Sequence, residues 1–271
     1  MTALLSRSRK GNDAFLRCES CRKVLLAKEL EKNARVCPHC DKHYRLPAAE
    51  RIELTFDPGS FQEQDADLQS QDPLEFPEYR EKLDTAIAKT GRQDSIVRGT
   101  ALLEGNRVAA AVSDFAFMGG SMGAVAGEKI ARTLELAADE RIPAVIFTAT
   151  GGARMQEGLY SLMQMAKTSA ACERLARAGV PFICVFTDPT MAGVLASYAS
   201  LADVIIAEPG ALVGFAGARV AAQAAVGGKM PDDFQTSEFN LRVGMIDKIV
   251  ERKDMRSTLA RLVRHLGGAG G

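Results

Sequence analysis

The chain lacks several features that mark whole classes of protein. It has no tryptophan, only three histidines among 271 residues, and a formal net charge of +0. A balanced charge excludes the overall electrostatic attraction on which a dedicated nucleic-acid or membrane-surface protein depends. No apolar run approaches the roughly 20 residues that span a bilayer. At 46% hydrophobic and 25% charged, the composition is that of an ordinary globular protein.

Signals for export and for familiar catalytic machinery are also missing. The apolar patch at the amino terminus comes before Arg7 and Arg9, the wrong order for a secretory signal, so we expect a cytoplasmic protein. No phosphate-binding P-loop or dinucleotide-binding glycine motif is present. His39, His43 and His265 lie towards the ends of the chain, which leaves no evident Ser-His-Asp set in the body. Backbone amides are then the best remaining source of transition-state stabilisation.

Four of the six cysteines form two C-x2-C pairs near the amino terminus: Cys18, Cys21, Cys37 and Cys40. This spacing predicts a four-thiolate zinc ribbon, and a closed sphere of four sulfurs predicts a structural ion, not a catalytic one. Cys172 and Cys184 lie in apolar surroundings and are interpreted as small packing residues.

The ribbon is predicted as a module over residues 1–50, with a basic amino-terminal tail, and the larger domain over 51–271. Residues 1–50 contain eleven lysines and arginines but only six acidic residues. This excess leaves three interpretations open: a grip on nucleic-acid phosphates, a cover for a phosphate-bearing substrate, or a solvated surface.

Strand-like and helix-like segments alternate through the larger domain and predict an α/β layered fold. A helix is expected near 79–90, followed by a hairpin of strands at 96–103 and 108–113. Further helices are expected at 121–139, 152–178 and 191–201, and further strands at 143–148, 181–186 and 203–208.

Glycines occur at three strand-to-helix junctions, within 117–123, 150–154 and 188–193. Glycine lets a ligand approach backbone N–H groups closely, and such amides stabilise negative charge. One such loop could be an ordinary tight turn, but three in succession favour a substrate-binding face.

The runs Phe115–Gly123, Gly151–Gly158, Ser161–Ala170 and Thr187–Met191, together with the cysteine pairs, resemble the β-subunit family of bacterial acetyl-CoA carboxylase carboxyltransferases. The resemblance covers about residues 17–250. It implies a crotonase-like (ClpP/crotonase) fold of repeated β-β-α units.

The implied activity is transfer of a carboxyl group from carboxybiotin to acetyl-CoA, giving malonyl-CoA for fatty acid synthesis. The implied partners are a carboxyltransferase α subunit in an α2β2 hetero-oligomer, a biotin carboxyl carrier protein and a biotin carboxylase. The implied cofactors are structural Zn2+ and the carrier's carboxybiotin.

By position, the resemblance places an oxyanion hole at Ala192 and Gly193 and substrate-binding residues at Gly119, Gly120, Gly151, Gly152 and Arg154. Arg154 is the best cation for a CoA phosphate or a subunit-interface carboxylate.

The chain departs from the family at Ala192 and Leu195, where the usual run is Met-Gly-Gly-Val-Ser, and again at 219–224, where an acidic residue is missing. Two alternatives therefore stay open. One is a diverged paralogue with altered acyl-CoA or inhibitor specificity, and the other is a zinc-ribbon nucleic-acid-binding protein.

Overall fold

A computed structural model describes residues 15–217 and 230–267. The basic tail before residue 15 and the family departure at 219–224 lie outside these ranges. The first described element is a small antiparallel hairpin of β1 (Phe15–Arg17) and β2 (Val24–Leu26), which is followed by the short helix α1 (Ala27–Lys32). The turn of this hairpin carries Cys18 and Cys21, and Cys37 and Cys40 follow α1.

The body is built on one sheet in the order β10-β8-β7-β6-β5-β4-β3, and β9 pairs with the end of β7. The hairpin β4–β5 is antiparallel, as the sequence predicts, and β5, β6, β7, β8 and β10 run parallel. Their bounds are β3 Gln62–Gln64, β4 Ile96–Leu103, β5 Asn106–Ser113, β6 Ala144–Thr150, β7 Phe182–Met191, β8 Val204–Ala207, β9 Val213–Gly214 and β10 Lys248–Ile249.

Helices cover both faces of the sheet, so the predicted α/β layered fold is confirmed. They are α2 (Ala48–Thr55), α3 (Tyr79–Thr90), α4 (Ala124–Glu140), α5 (Gly158–Arg177), α6 (Ala192–Leu195), α7 (Ser237–Arg242) and α8 (Arg252–Gly267). No helix among the described residues is long and apolar enough to cross a membrane.

Two hydrophobic clusters lie on opposite faces of the sheet. Alternate residues of a strand point to opposite faces. Ala109 and Ala111 accordingly join the cluster beneath α4 and α5, and Ala110 and Val112 join the cluster beneath α2 and α8. The alanines of β5 therefore pack against the helices on both faces of the sheet.

Cys172 and Cys184 belong to the α4–α5 cluster. Burial raises the pKa of Cys172 to about 12 and that of Cys184 well above its ordinary value. Both thiols are therefore held neutral, which confirms their interpretation as packing residues.

Two of the expected helices differ in extent. The segment expected as one helix over 191–201 is broken at Ser197, whose non-helical backbone (φ −134°, ψ −123°) separates α6 from a single 3-10 turn. Helix α5 begins at residue 158 and not at 152, because residues 151–157 form a loop and a short 3-10 turn. That loop carries one of the three glycine junctions.

Candidate active site and zinc centre

The four cysteine sulfurs form a compact cluster, all within 4.8 Å of one another. Cys18 Sγ lies 3.7 Å from Cys40 Sγ, and Cys21 Sγ lies 4.0 Å from Cys37 Sγ. Tetrahedral zinc with Zn–S bonds of about 2.3 Å requires sulfur separations of about 3.8 Å. The donor set therefore fits zinc, and the four thiolates fill a tetrahedral sphere.

Both C-x2-C pairs use the same local backbone. In the first pair, Arg22 N donates to Cys18 O (3.0 Å) and Cys18 N donates to Lys23 O (2.8 Å). In the second pair, Asp41 N donates to Cys37 O (3.0 Å) and Cys37 N donates to Lys42 O (2.9 Å). Such turns aim both sulfurs of a pair at one point, so the metal site is prepared by the backbone.

A buried ion cluster joins the ribbon to the body. Glu208 accepts hydrogen bonds from Arg51 Nη1 (2.6 Å) and from Arg252 Nη2 (2.6 Å). Arg252 also donates to the ribbon carbonyls of Ala34 (2.6 Å) and Tyr44 (2.9 Å). Burial alone would raise the pKa of Glu208, but Arg51 and Arg252 hold it well below its ordinary value. This carboxylate therefore stays ionised and fixes the ribbon on the sheet.

The three glycine junctions meet at one edge of the sheet. They follow the adjacent parallel strands β5, β6 and β7, and the carboxyl ends of such strands lie side by side. Gly151 N donates to Gly119 O (2.9 Å), and Met122 N donates to Gly152 O (2.8 Å). A Cβ placed on Gly152 would lie 2.8 Å from the Ala192 Cβ, so the third junction contacts the second.

Two of these glycines are required by the close approach. Gly120 has a φ of +64°, and a Cβ there would overlap the carbonyl oxygen of Ala149. Gly152 has a φ of +120° and faces the methyl group of Ala192. Any side chain at either position would push neighbouring junctions apart.

Ala192 adopts the left-handed backbone that a glycine would favour, with a φ of +53°. The cost of this conformation for a residue with a Cβ is about 1 to 2 kcal/mol. Ala192 and Gly193 open helix α6, so their N–H groups have no acceptor within that helix. Gly193 lies against the sulfur of Met165, where a Cβ would come within 2.9 Å. The alanine keeps the amide that the family's glycine supplies, and it adds a methyl group at the meeting of the loops.

Arg154 does not occupy the exposed position expected for a phosphate-binding cation, because its side chain is completely buried. Arg154 Nη1 lies 2.7 Å from Asp94 Oδ2 and 3.4 Å from Glu157 Oε1. Arg154 Nη2 donates to Ser121 O at 2.8 Å. Burial alone would lower the Arg154 pKa, but Asp94 raises it above its ordinary value. The buried guanidinium of the second junction therefore holds the first junction in place through this hydrogen bond to Ser121 O.

Sequence reasoning missed the partners of this cation. Glu157 accepts a hydrogen bond from the Tyr79 hydroxyl (2.5 Å) and, through its other oxygen, from Ala124 N at the start of α4 (2.5 Å). Glu157 stands inside the glycine motif and could have been singled out by its charge. Asp94 and Tyr79 have no local signal, because they reach the site only through the fold.

A cavity of about 590 Å³ opens beside the junctions, between α3 and the segments 116–121 and 153–156. Its floor includes Met118, Ser121 and Met155, and its α3 wall carries Lys82 and Lys89 among acidic and small residues. The volume is in the range of ligand-binding clefts, about 300 to 1,000 Å³.

The fold and the two sites define a class: an α/β protein with a four-cysteine zinc ribbon and a glycine-lined cleft at the edge of its sheet. Residues 41–236 match the carboxyl transferase domain, and residues 15–40 match the acetyl-CoA carboxylase zinc finger domain. The chain belongs to the family of acetyl-coenzyme A carboxylase carboxyl transferase beta subunits.

Relatives of that name share half of their residues with this chain. The protein from Rubrobacter xylanophilus is 51% identical over 253 residues, covering 93% of this chain and 98% of its own. That from Desulfitobacterium hafniense is 50% identical over 260 residues, covering 96% and 85%. This similarity favours the transferase over both a diverged paralogue and a nucleic-acid-binding protein.

Solved structures confirm the crotonase-like fold. Transcarboxylase 12S, with hydrolysed methylmalonyl-coenzyme A bound, is 26% identical with a TM-score of 0.71; the match covers 87% of this chain and 43% of that one. A Pseudomonas malonate decarboxylase hetero-dimer is 26% identical with a TM-score of 0.64, and the match covers 81% and 86%. The boundary expected near residue 50 remains a prediction, since α2 runs across it.

Proposed function

We propose that this chain provides the acyl-CoA half of a shared carboxyltransferase site and that Ala192 and Gly193 form its oxyanion hole. The reaction transfers a carboxyl group from carboxybiotin, held on a biotin carboxyl carrier protein, to acetyl-CoA. A separate biotin carboxylase recharges the carrier. The proposal is supported by the contacts of the second junction with the first junction on one side and with Ala192 on the other.

The chemical task of this chain is to stabilise negative charge on a thioester. Removal of a methyl proton from acetyl-CoA leaves an enolate, whose oxygen needs hydrogen-bond donors. One well-placed donor contributes about 3 to 4 kcal/mol to such a transition state. The amides of Ala192 and Gly193 are the donors. When bound, carboxybiotin would supply the CO2 to which the enolate carbon bonds, and the ureido nitrogen freed by loss of that CO2 would accept the methyl proton.

The proposal extends to the remaining predicted residues. Gly119, Gly120, Gly151 and Gly152 form the backbone wall past which the acyl group and pantetheine pass. Lys82 and Lys89, on the α3 wall of the cavity, face the CoA phosphates. Lys82 is paired with the exposed Glu78 at 3.0 Å, a weak surface contact that a phosphate replaces at little cost. Arg154 holds the wall in place from below.

The face of α5 next to the site supports a partner subunit. Met155, Leu159, Leu162 and Met163 are between 48% and 78% exposed, and helical spacing places the last three on one side of α5. Contiguous exposed apolar side chains mark protein interfaces. We assign this face to the carboxyltransferase α subunit, in an α2β2 assembly in the cytoplasm.

The test is the reverse half-reaction. This chain, the α subunit from the same organism and their mixture are each given malonyl-CoA and biocytin, and acetyl-CoA formation is followed. Activity confined to the mixture supports the proposal, and light scattering on the same sample reports the stoichiometry. A stable complex that produces no acetyl-CoA contradicts it.

A further inference from the structure

Arg45 is the side chain through which the zinc ribbon reaches the loops of the site. Its backbone is anchored from both sides. Tyr44 N donates to Arg35 O of the ribbon (2.9 Å), and Ala48 N, at the start of α2, donates to Asp114 Oδ2 (3.2 Å). The stem of Arg45 is therefore fixed with respect to both ribbon and body.

The guanidinium of Arg45 makes two contacts with the body. Its Cζ lies 3.9 Å from the centre of the Phe115 ring, a cation–π stack. Its Nε donates to Asp188 O at 3.1 Å and lies 3.4 Å from Asp188 Oδ2. The other oxygen of Asp188 accepts from Leu212 N at 3.1 Å, so this carboxylate is itself held against the strand next to β7.

These two partners open two of the three junctions. Phe115 precedes the turn at Gly119, and Asp188 precedes the left-handed Ala192 in the same continuous segment. One cation on the ribbon therefore contacts residues that lead into both the first and the third junction.

We propose that Arg45 is a positioning residue, which couples the folded, zinc-bound ribbon to the spacing of the Phe115 and Asp188 loops. The inference rests on the proposed function. It gives the ribbon a part in the reaction without any contact between zinc and substrate. In this proposal, the positive charge of the ribbon acts on the reaction through Arg45 and not through a general attraction for anions.

The Arg45–Asp188 contact is partly exposed, so its effect on activity can be distinguished from its effect on stability. The Arg45 side chain is 50% exposed and that of Asp188 is 29% exposed. Exposed ion pairs contribute little to folding. By contrast, small displacements of reacting groups lower turnover strongly, by as much as about a hundredfold for 1 Å. Loss of Arg45 should therefore lower kcat while the fold, the zinc content and subunit assembly stay intact.

The test compares Arg45→Gln with the matched control Arg17→Gln. Arg17 lines the same ribbon cleft as Arg45 and has no ion-pair partner among residues 15–217 and 230–267. Both variants remove one positive charge from the cleft. Each is assembled with the α subunit and assayed in the reverse half-reaction for kcat and the KM of malonyl-CoA. Arg45→Lys is included because it restores the charge but not the planar stack on Phe115.

Arg45→Gln should lower kcat by about tenfold with KM changed less than about twofold. Arg17→Gln should match the wild type, and Arg45→Lys should recover part of the loss. Equal losses in both glutamine variants, carried by KM, would overturn the proposal in favour of charge attraction. An unchanged kcat in Arg45→Gln would overturn it outright.

Amide hydrogen exchange on the isolated, zinc-loaded chain tests the same tie without using activity. Arg45→Gln should speed exchange within 115–120 and 187–193, and Arg17→Gln should not. Unchanged exchange in Arg45→Gln would refute the tie. An inactive wild-type complex would instead refute the proposed function, so the two failures are distinguishable.

Discussion

Glu208→Gln is the substitution that should weaken the protein most clearly at the junction of ribbon and body. The side chain keeps its size but loses its charge. Its two arginine partners, Arg51 and Arg252, are about as deeply buried as the carboxylate itself, at 5% and 3% side-chain exposure. Arg252 retains the carbonyls of Ala34 and Tyr44. Among the residues that the structure describes, the contact left to the Arg51 guanidinium is a stack on Phe147, 5.1 Å from its ring centre.

The expected loss of unfolding free energy follows from the buried arginine charge that the substitution leaves unpaired. Removing one partner of a buried ion pair leaves an uncompensated charge and costs about 3 to 5 kcal/mol of unfolding free energy. A matched control is Asp139→Asn, which breaks the pair of Asp139 with Arg174 on the surface, where the carboxylate is 60% exposed. That change should cost less than about 1 kcal/mol.

The assay is denaturant unfolding of the zinc-loaded chain, followed by circular dichroism at pH 7 and at lower pH. Because the folded pKa of Glu208 is depressed, its contribution is present above the unfolded value of about 4.3 and is lost as pH falls below it. The gap between wild type and Glu208→Gln should therefore narrow in acid. A cost at pH 7 no larger than that of Asp139→Asn would refute the reasoning.

Three further results are expected. Cys37→Ser should lose zinc and Cys184→Ser should keep it, measured as metal per chain, because Cys37 is one of the four clustered cysteines and Cys184 is not. Equal zinc in both variants would contradict the site. In the folded protein, Cys172 and Cys184 should resist a thiol reagent until denaturant is added, since burial raises the pKa of both; rapid labelling of native protein would contradict this. Gly152→Ala should be less harmful in an Ala192→Gly background, because its Cβ would lie 2.8 Å from that of Ala192, with a coupling of about 0.5 to 3 kcal/mol in unfolding free energy; strict additivity would show that the two do not touch.

Local patterns were sufficient where the signal is local. The helix expected near 79–90 is α3, because Tyr79, Leu83 and Ala86 recur at helical spacing and pack on Phe117. The hairpin and the zinc ribbon follow from turn residues and cysteine spacing in the same way. The break at Ser197 was not predicted, since the flanking residues have an apolar pattern that suits a continuous helix.

The placement of some site residues depends on partners that are distant in sequence and so could not be predicted. Arg154 was expected to face a ligand, but Asp94, distant in sequence, reaches it in the fold and buries it. Ala192 is the opposite case. The sequence has alanine where the family has glycine, and the structure gives Ala192 a left-handed backbone with a φ of +53°. The substitution therefore costs conformational energy without removing the amide from the site.

The most direct test of the account is a structure of the complex of this chain with its α subunit and acetyl-CoA. The account predicts that the thioester oxygen lies about 2.7 to 3.1 Å from the amide nitrogen of Ala192 or Gly193, with CoA running through the cavity beside α3. A thioester held away from α6, with the Ala192 and Gly193 amides turned from it, would contradict the account.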